Sequence, residues 1–518
     1  MTTTSRRRWI ALLVLCLAEL LVSIDNTIVN VALPTMSREL SAGTSGLQWI
    51  VDAYTLVFAG LLLAAGHLGD RTGRRRTLVV GLAGFGATSV VAALVTNLGG
   101  LIAARAVMGV FAALIFPATL AIITNIFTTA RERVAAVGIW SAVAGVAVAL
   151  GPVSGGFLLE HFSWHSVFWV NVPLAVVAIG LTLWFVPDSR DPAAGRLDGV
   201  GVVASVAVIV TLVWSVIEGP VRGWTSPEVL GGFALAAALL VAFVMWERRH
   251  PHPVLDVTLF ANRRFSAAAG AIAVAFFGLF GFIFMVTQFF QAVQDYGTLD
   301  AGLRTLPFAI VIGLFAPISV QVAARIGTTV VVSTGLVLMS AGFAVVAFRG
   351  AVDNAYFGTV IVAMCLMAAG LGLVSGPATE AVMGALPLAR AGAGSAVNDT
   401  TREVGGTLGV AVIGSVMAAL YGGHVANAAA ANGLSATDQE ALRSSVVGGL
   451  QVAGRLGDPA LALAVRESFV DGMQVGAGVA AGACLVAALL VAVALPARGG
   501  ARHGDAAVVE DDRAPVAV

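Results

Sequence analysis

The chain is built mainly of long apolar runs separated by short polar breaks. About fourteen runs reach the roughly 20 residues that an α-helix needs to cross a bilayer. We therefore predict an all-α integral membrane protein with fourteen transmembrane helices, and an even number returns both termini to one side. The predicted spans cover roughly residues 9–33, 47–69, 77–97, 99–123, 134–158, 165–186, 198–217, 229–246, 267–290, 302–324, 328–348, 355–377, 397–421 and 472–496.

The composition excludes several classes of protein. Of the 518 residues, 58% are hydrophobic and only 11% are charged, which is too apolar for a water-soluble core. The formal net charge is zero, so the chain lacks the basic field that nucleic-acid binding needs. The three cysteines lie singly in apolar runs, a pattern that favours neither a metal site nor a disulfide. No Gly-x-x-x-x-Gly-Lys-Ser/Thr loop occurs, so we expect no nucleotide-driven pump. We also expect no enzyme and no cofactor.

The arginines predict the orientation of the chain, which contains no lysine. With the N-terminus inside, about 20 arginines fall on the cytoplasmic face and about 7 on the outer face, as expected where positive loops stay inside. This asymmetry predicts that both termini are cytoplasmic and that the protein resides in the plasma (inner) membrane of a bacterium as a multi-pass protein.

The polar break at residues 66–76 reads GHLGDRTGRRR and closely resembles the signature loop of the major facilitator superfamily. Gly66 and Gly73 permit a tight turn between two helices. Asp70, Arg71 and Arg74 can form charge-assisted bonds to the other half of the molecule, which would hold one conformation and break in another. A loop that only anchors the chain by its positive charge would explain the arginines but neither the aspartate nor the glycine spacing.

The fifth run contains AVALGPVSGG at residues 147–156, which resembles the antiporter motif of drug-exporting members of that superfamily. Gly151 and Gly155 lie four residues apart and share one helix face, where another backbone can approach closely. Pro152 can bend the helix, and Gly156 completes the Gly-Pro-x-x-Gly-Gly pattern. Ordinary packing of small residues would also produce the glycine pair, so the pair alone is weak evidence.

Asp25 and Arg105 are charged residues that lie inside predicted membrane helices. Asp25 is flanked on both sides by more than a turn of apolar residues in the first run, where a carboxyl favours its neutral form unless water, a cation or an arginine compensates its charge. Arg105 lies in the fourth run, where a charge costs at least about 2.5–3.5 kcal/mol on insertion scales. The family resemblance implies a role for Arg105 in proton handling; the alternative is an arginine that snorkels from a helix end.

Three further acids complete a pattern similar to the fourteen-helix drug:proton antiporters, and most similar to exporters of quaternary ammonium compounds and cationic dyes. That resemblance implies that Asp52, Asp399 and Glu403 act with Asp25 in binding protons or cations. Asp52 could instead cap the second helix at its rim. Asp399 and Glu403 lie four residues apart on one helix face. Asp399 could instead pair with Arg402 or lie in the loop, and Glu403 could pair with the neighbours of Arg402.

The resemblance divides the chain into a six-helix half at residues 1–190, two linking membrane helices at 198–246, and a second six-helix half at 260–496. A faint repeat relates residues 66–81 to 320–335, as is common where two halves rock about a central site. Residues 422–470 form a predicted external loop with one or two short helices, serving as a structural cap or lying on or in the membrane. Residues 497–518 are predicted to be a disordered cytoplasmic tail.

These features together favour a proton-coupled multidrug antiporter that exports small lipophilic, cationic drugs or dyes. Its expected partners are protons, these compounds and membrane lipids, without nucleic acid and without an obligate protein partner. A dedicated exporter of one endogenous antibiotic, lipid or siderophore is the alternative. A non-transporting membrane sensor fits less well, because a sensor would not need acids in apolar helices.

Overall fold

A computed structural model describes residues 3–190, 198–251, 253–385, 391–431 and 434–495. Within these ranges the chain forms helices and their connections, without a β-strand. The predicted tail at 497–518 lies outside the described residues. The helices are α1 (Thr3–Leu40), α2 (Thr44–Thr72), α3 (Arg74–Leu94), α4 (Leu98–Ile126), α5 (Ala130–His161), α6 (Ser166–Phe185), α7 (Gly199–Arg222), α8 (Pro227–Glu247), α9 (Arg263–Val293), α10 (Thr298–Ile326), α11 (Thr328–Arg349), α12 (Tyr356–Gly384), α13 (Ala391–Ala431), α14 (Ala436–Ser444), α15 (Val446–Leu456) and α16 (Pro459–Ala494).

The predicted fold class is confirmed. Fourteen of the described helices are long and apolar enough to cross a membrane, and each coincides with one predicted span. The last span begins earlier than predicted, at Pro459 instead of residue 472. Its N-terminus is fixed by Asp458, whose side chain accepts hydrogen bonds from the backbone amides of Ala460 and Leu461.

The buried apolar side chains form two large clusters. One unites α1–α6 and the other unites α9–α13 with α14–α16. A small third cluster forms where α2, α7 and α13 meet, and α8 packs against α7. The linking pair α7 and α8 therefore lies beside the seam between α2 and α13, where the two large clusters contact each other.

The repeat at residues 66–81 and 320–335 has a structural counterpart. Gly73 and Gly327 each end one helix and begin the next, with positive φ angles of 112° and 98° that glycine adopts without strain. In both, the glycine amide donates to the carbonyl oxygen four residues earlier, at Gly69 and Ala323. The two turns therefore share one backbone conformation although only the first carries charges on both sides of its glycine.

The bundle has two faces across the membrane. We call the face where α1 begins the terminal face, and it carries the α2–α3 turn. The opposite side, the distal face, carries the α1–α2 connection, where α14 and α15 are seated. There the Ser37 and Ser445 hydroxyl oxygens lie 3.3 Å apart, and the Thr44 hydroxyl donates to the Ser444 carbonyl at 3.1 Å. The two short helices of the 422–470 segment thus lie across the distal ends of α1 and α2.

Hydrogen bonds between the two large clusters lie at mid-depth or toward the distal face, within the described residues. The Thr298 hydroxyl donates to the Gly156 carbonyl at 3.1 Å, and the Gln291 amide donates to the Val31 carbonyl at 2.9 Å. Deeper in the bundle, the Thr407 hydroxyl donates to Thr55 at 2.9 Å. The two halves are therefore joined at the distal face in this conformation.

Candidate functional site

A buried ion pair joins the first and fourth helices. The Arg105 guanidinium donates from Nη1 to Asp25 Oδ2 at 2.5 Å, and the two side chains are 1% and 0% exposed. Arg105 Nε donates to the Ile50 carbonyl at 3.1 Å, and its guanidinium carbon lies 4.2 Å from the Tyr54 ring centre. This geometry rules out the snorkelling alternative, because Arg105 points into the bundle and reaches no interface.

A second donor holds the other oxygen of the Asp25 carboxyl. The Asn171 side-chain amide donates to Asp25 Oδ1 at 2.7 Å and also reaches Ser89 Oγ at 3.1 Å. The Ser89 hydroxyl in turn donates to the Phe168 carbonyl at 2.8 Å. With both oxygens occupied by donors, Asp25 is a fixed carboxylate inside the first half rather than a free acid facing a central cavity.

Sequence reasoning did not identify Asn171, Ser89 or Tyr54 as site residues. A single asparagine, serine or tyrosine in an apolar run is common, and nothing in the local pattern separates one that faces an acid from one that faces another helix. The available signal was weak: Asn171 is the polar residue beside the α6 break at Val170, and such a residue needs a buried partner.

Asp52 stands apart from this pair. Its side chain is fully buried on α2, and neither carboxyl oxygen has a hydrogen-bond partner among the described residues. One turn before it, Gln48 donates to the α13 carbonyls of Val410 and Ala411 at 3.0 and 2.8 Å. Asp52 is well inside α2, which starts at Thr44, so it does not cap that helix. It instead lies near the seam between α2 and α13.

Asp399 and Glu403 lie on α13, in the opposite half, and both are only partly buried. Asp399 accepts a hydrogen bond from the Asn398 amide at 3.1 Å. Arg402 donates to the Thr379 hydroxyl at 3.0 Å and lies over the Phe276 ring at 5.2 Å. In the described part of the chain, Arg402 makes no ion pair with Asp399, so this alternative pairing is not formed in this conformation. Asp399 also lies inside a helix and not in a loop.

Tyr54 is fully buried beneath the Arg105 guanidinium. The structure thus brings Asp25 and Arg105 into contact within the first half, whereas Asp399 and Glu403 lie on α13 in the other half. One nitrogen of the guanidinium, Nη2, and one oxygen of Glu403, Oε2, have no hydrogen-bond partner within the described ranges.

The charged loop at the terminal face is paired within the first half. Arg74 Nε donates to Asp70 Oδ1 at 2.7 Å, and the backbone amide of Arg74 donates to the Ser189 carbonyl at 2.8 Å. Arg71 is exposed, and Gly66 faces Pro117 of α4. The predicted bonds to the other half are not seen among the described residues, since the two halves meet at the distal face instead.

The glycines of the Gly-Pro motif let α5 approach two different neighbours. A Cβ atom on Gly151 would collide with Thr27 of α1, and one on Gly155 would lie 2.8 Å from Ile28. Gly156 faces the opposite half: a Cβ atom there would lie 2.5 Å from the Thr298 carbonyl oxygen of α10. The motif is therefore part of the contact between halves at the distal face.

The carbonyl oxygen of Pro152 also contacts the second half, at Gly302 of α10. Beneath this contact lies a small cavity between α1, α5, α9 and α10, with space for about one water molecule. Its lining combines hydroxyl, amide and aromatic groups: Thr27, Asn30, Pro152, Phe282, Thr287 and Phe308. The rings of Phe282 and Phe308 stack with centres 5.0 Å apart. In this conformation the cavity is too small for a drug-sized molecule, and its lining combines polar and aromatic groups at the contact between the halves.

Comparison with known proteins identifies the family. Residues 15–410 match the model of the Major Facilitator Superfamily. The chain belongs to the Major Facilitator Superfamily. It is 37% identical over 499 residues to the multidrug efflux pump LfrA of Mycolicibacterium smegmatis, an alignment that covers 95% of this chain and 97% of LfrA. It is 33% identical over 473 residues to the methyl viologen resistance protein SmvA of Salmonella typhimurium, covering 90% and 93% of the two chains.

A solved structure shows the same fold at low sequence identity. The bacterial homolog of the human lysosomal transporter Spinster aligns with a TM-score of 0.64 at 19% identity, covering 94% of this chain and 97% of that one. The resemblance of the 66–76 and 147–156 motifs to this superfamily is thus confirmed, and so is the resemblance to its drug:proton antiporters. Since fourteen of its described helices can cross a membrane, this superfamily member is a multi-pass protein of a bacterial plasma membrane.

Proposed function

We propose that this protein is a proton-driven antiporter that exports lipophilic cationic compounds from the cytoplasm. One observation carries the proposal: Asp25 and Arg105 form a fully buried ion pair between α1 and α4. A buried carboxylate of this kind is stable only while its partner stays in place, so adding a proton to Asp25 and moving Arg105 are linked events.

The names of the similar proteins support the export of drugs. LfrA is a multidrug efflux pump, and SmvA confers resistance to methyl viologen, which is a dication. The half-buried Asp399 and Glu403 of α13 are suited to receive such a cation, because a carboxylate in a low-dielectric site binds positive charge strongly. In this division of roles, Asp25 and Arg105 handle the proton, and Asp399 and Glu403 handle the cation.

The distal contacts give the exchange its direction. We place the terminal face in the cytoplasm, in line with the arginine asymmetry. In this conformation the outer face is closed by Ser37, Ser445, Gly156 and Thr298, so a compound enters from the cytoplasm. Binding of an external proton after the outer face opens would release the compound. Each charge that moves across 100 mV contributes about 2.3 kcal/mol to this work.

Asp52, which lies near the contact between α2 and α13, takes part in the same transport cycle. Its carboxyl oxygens face no donor while α2 and α13 are packed together, so a charged carboxylate there would be uncompensated. Separation of α2 from α13 would admit water and let Asp52 ionise. Asp52 thus links proton binding to the closure of the seam.

The test is dye efflux from proteoliposomes that contain the purified protein. Ethidium should leave the compartment that faces the cytoplasmic side of the protein only when a proton gradient is imposed. Asp25→Asn should abolish this efflux, although the variant protein still inserts into the membrane. Asp353→Asn, at an exposed aspartate of the distal face, is the matched control and should transport normally. Full activity in Asp25→Asn would remove that acid from the mechanism, and gradient-independent movement would exclude antiport. Transport of one antibiotic or lipid with no response to several unrelated cations would instead support a dedicated exporter.

A further inference from the structure

Asn171 of α6 holds the Asp25 carboxyl with its amide nitrogen and keeps its carbonyl oxygen in reserve. The side chain is fully buried, and Nδ2 donates to Asp25 Oδ1 at 2.7 Å. Its own oxygen, Oδ1, has no hydrogen-bond partner among the described residues. The donor and the acceptor of an amide exchange places when the group turns by half a rotation about Cβ–Cγ. Asn171 can therefore meet Asp25 with either group.

The two oxygens of Asp25 face partners of different kinds. Oδ2 faces the Arg105 guanidinium, which has donors and no acceptor, whereas Oδ1 faces the Asn171 amide, which has both. A proton on Oδ2 would point at the hydrogens of Arg105 in any orientation of the guanidinium. A proton on Oδ1 is accommodated once the amide has turned and its carbonyl oxygen accepts the new O–H group. Proton uptake at Oδ1 therefore reverses the amide of Asn171.

Ser89 of α3 connects this amide to the start of α6. Asn171 Nδ2 also donates to Ser89 Oγ at 3.1 Å, and the buried Ser89 hydroxyl donates to the Phe168 carbonyl at 2.8 Å. After the amide turns, its oxygen faces the Ser89 oxygen. Two oxygens at this distance attract each other only if one of them donates, so the Ser89 hydroxyl turns to Asn171. The Phe168 carbonyl then loses its donor.

Phe168 lies in the first turn of α6, just before the break at Val170. Pro173 has no N–H group, so it cannot donate the helical hydrogen bond to the carbonyl of Trp169 four residues earlier. The first turn is therefore less firmly joined to the rest of α6 than an unbroken helix would be. The Ser89 hydroxyl holds this turn against α3.

Resting on the proposed antiport, we propose that Asn171 and Ser89 are positioning residues that transmit the protonation of Asp25 to the first turn of α6. While Asp25 is ionised, the amide donates to the carboxylate and the Ser89 hydroxyl holds Phe168. When Oδ1 of Asp25 carries a proton, the acid and Ser89 both donate to the amide oxygen, and the first turn of α6 is released from α3. The only covalent bond that forms is the O–H bond of the incoming proton. We call this set of hydrogen bonds the amide relay.

Asp25 is the ionisable group to which the amide relay responds. The other ionisable side chains at this position are Arg105 of α4, which binds Asp25, and Tyr54 of α2, which lies under Arg105. On α1 itself, Glu19 precedes Asp25 by more than one helical turn. Asp52 of α2 lies near the seam with α13. The neighbouring stretches without an ionisable side chain are residues 77–94 of α3, 134–159 of α5, 166–185 of α6 and 265–293 of α9.

The test follows a fluorophore attached to a cysteine introduced at Trp169, which is 43% exposed and lies beside the break in α6. The full-length protein is studied in proteoliposomes with Cys365, the least buried native cysteine, replaced by serine. Its emission should change as the pH falls and Asp25 takes up its proton. His161 and His165 also titrate near this position, so the response of the amide relay is the part that Asp25→Asn removes.

Three variants should fix this part of the emission at opposite ends of the native range. Asp25→Asn must present its carbonyl oxygen to Arg105 and therefore its N–H group to Asn171, so it copies the protonated acid and should keep the low-pH value. Ser89→Ala leaves Phe168 without its donor and should keep the low-pH value as well. Asn171→Leu disconnects Asp25 from Ser89. The Ser89 hydroxyl then stays on Phe168, so this variant should keep the high-pH value.

Transport kinetics give a second, independent measurement. Ser89→Ala should lower the kcat of ethidium efflux about tenfold, the size expected for one lost buried hydrogen bond, and should change KM less than about twofold. Ser340→Ala is the matched control. It removes a hydroxyl that donates to the Ala481 carbonyl, also at 2.8 Å, between α11 and α16. This control should leave kcat, KM and the emission response unchanged.

The outcomes separate the amide relay from the proposed function. A native emission response in Ser89→Ala or Asn171→Leu would overturn the relay and leave antiport intact, and so would equal responses in the native protein and Asp25→Asn. Full transport by Asp25→Asn would remove that acid from the mechanism and the relay with it. If Ser89→Ala does not accumulate, Asn171→Leu decides, because a loosened first turn of α6 would give the low-pH value instead of the high-pH value.

Discussion

Breaking the Asp25–Arg105 pair should cost more stability than any ordinary hydrogen bond between membrane helices. Both side chains are at most 1% exposed and lie 2.5 Å apart, and Arg105 also stacks on Tyr54. Removing one partner of a buried pair leaves an uncompensated charge, so Arg105→Met should lower the free energy of unfolding by about 3–5 kcal/mol. Asp25→Asn should cost a comparable amount, because it leaves the guanidinium without its carboxylate.

The double variant Asp25→Asn, Arg105→Met should recover much of that loss, because neither charge then remains. Neutral hydrogen bonds between membrane helices are worth about 0.6 kcal/mol on average and about 1.7 kcal/mol at most. A double-mutant cycle on unfolding in mixed micelles should therefore give a coupling energy above about 1.7 kcal/mol. A coupling energy within the range of neutral bonds would refute the claim that these residues form an ionic pair.

The same double variant separates stability from function. It should insert and resist unfolding better than either single variant, yet show no gradient-driven efflux of ethidium. The physical reason is that the double variant has no group that can take up the proton and release the arginine. Gradient-driven transport by the double variant would show that coupling resides in other acids.

Two further predictions concern the distal face. Cysteines introduced at Ser37 and Ser445, whose hydroxyl oxygens are 3.3 Å apart, should form a disulfide that stops efflux until a reductant is added. If efflux continues after the crosslink is confirmed, the two halves do not need to separate at this point. Gly156→Ala should lower the rate of dye efflux at least severalfold, because the added methyl group holds α5 away from Thr298. Gly180→Ala is the control: its added methyl group meets nothing within 4 Å, so this variant should transport dye at the native rate.

The membrane-spanning helices could be predicted from the sequence because the bilayer imposes the same length and apolar composition on every span. A run of about 20 apolar residues has few alternatives in a membrane, so the spans could be read without knowledge of their packing. The start of α16 was predicted too late in the chain. Its first turns carry Arg466, Glu467 and Asp471, so they extend beyond the apolar run and depend on the Asp458 cap.

The site was only partly predictable. Asp25 and Arg105 could be selected one by one, because a charge in an apolar run needs compensation. That each compensates the other depends on how α1 and α4 pack, which no local pattern records. The same holds for Asn171, whose side-chain amide donates the second hydrogen bond to the Asp25 carboxyl from a helix more than a hundred residues away. Asp52 shows the converse, since an acid with a similar sequence context has no partner at all among the described residues.

The hydrogen bonds of Asp25 favour the proposed division, in which the proton and the cation bind in different halves. If Asp25 bound the drug directly, its two donors would have to leave first, and the loss of both bonds would oppose binding. Glu403 needs no such rearrangement, because one of its oxygens is free within the described residues. Exchange between two such sites requires that a cation bound to α13 and a proton bound to the pair in α1 and α4 favour different arrangements of the two halves.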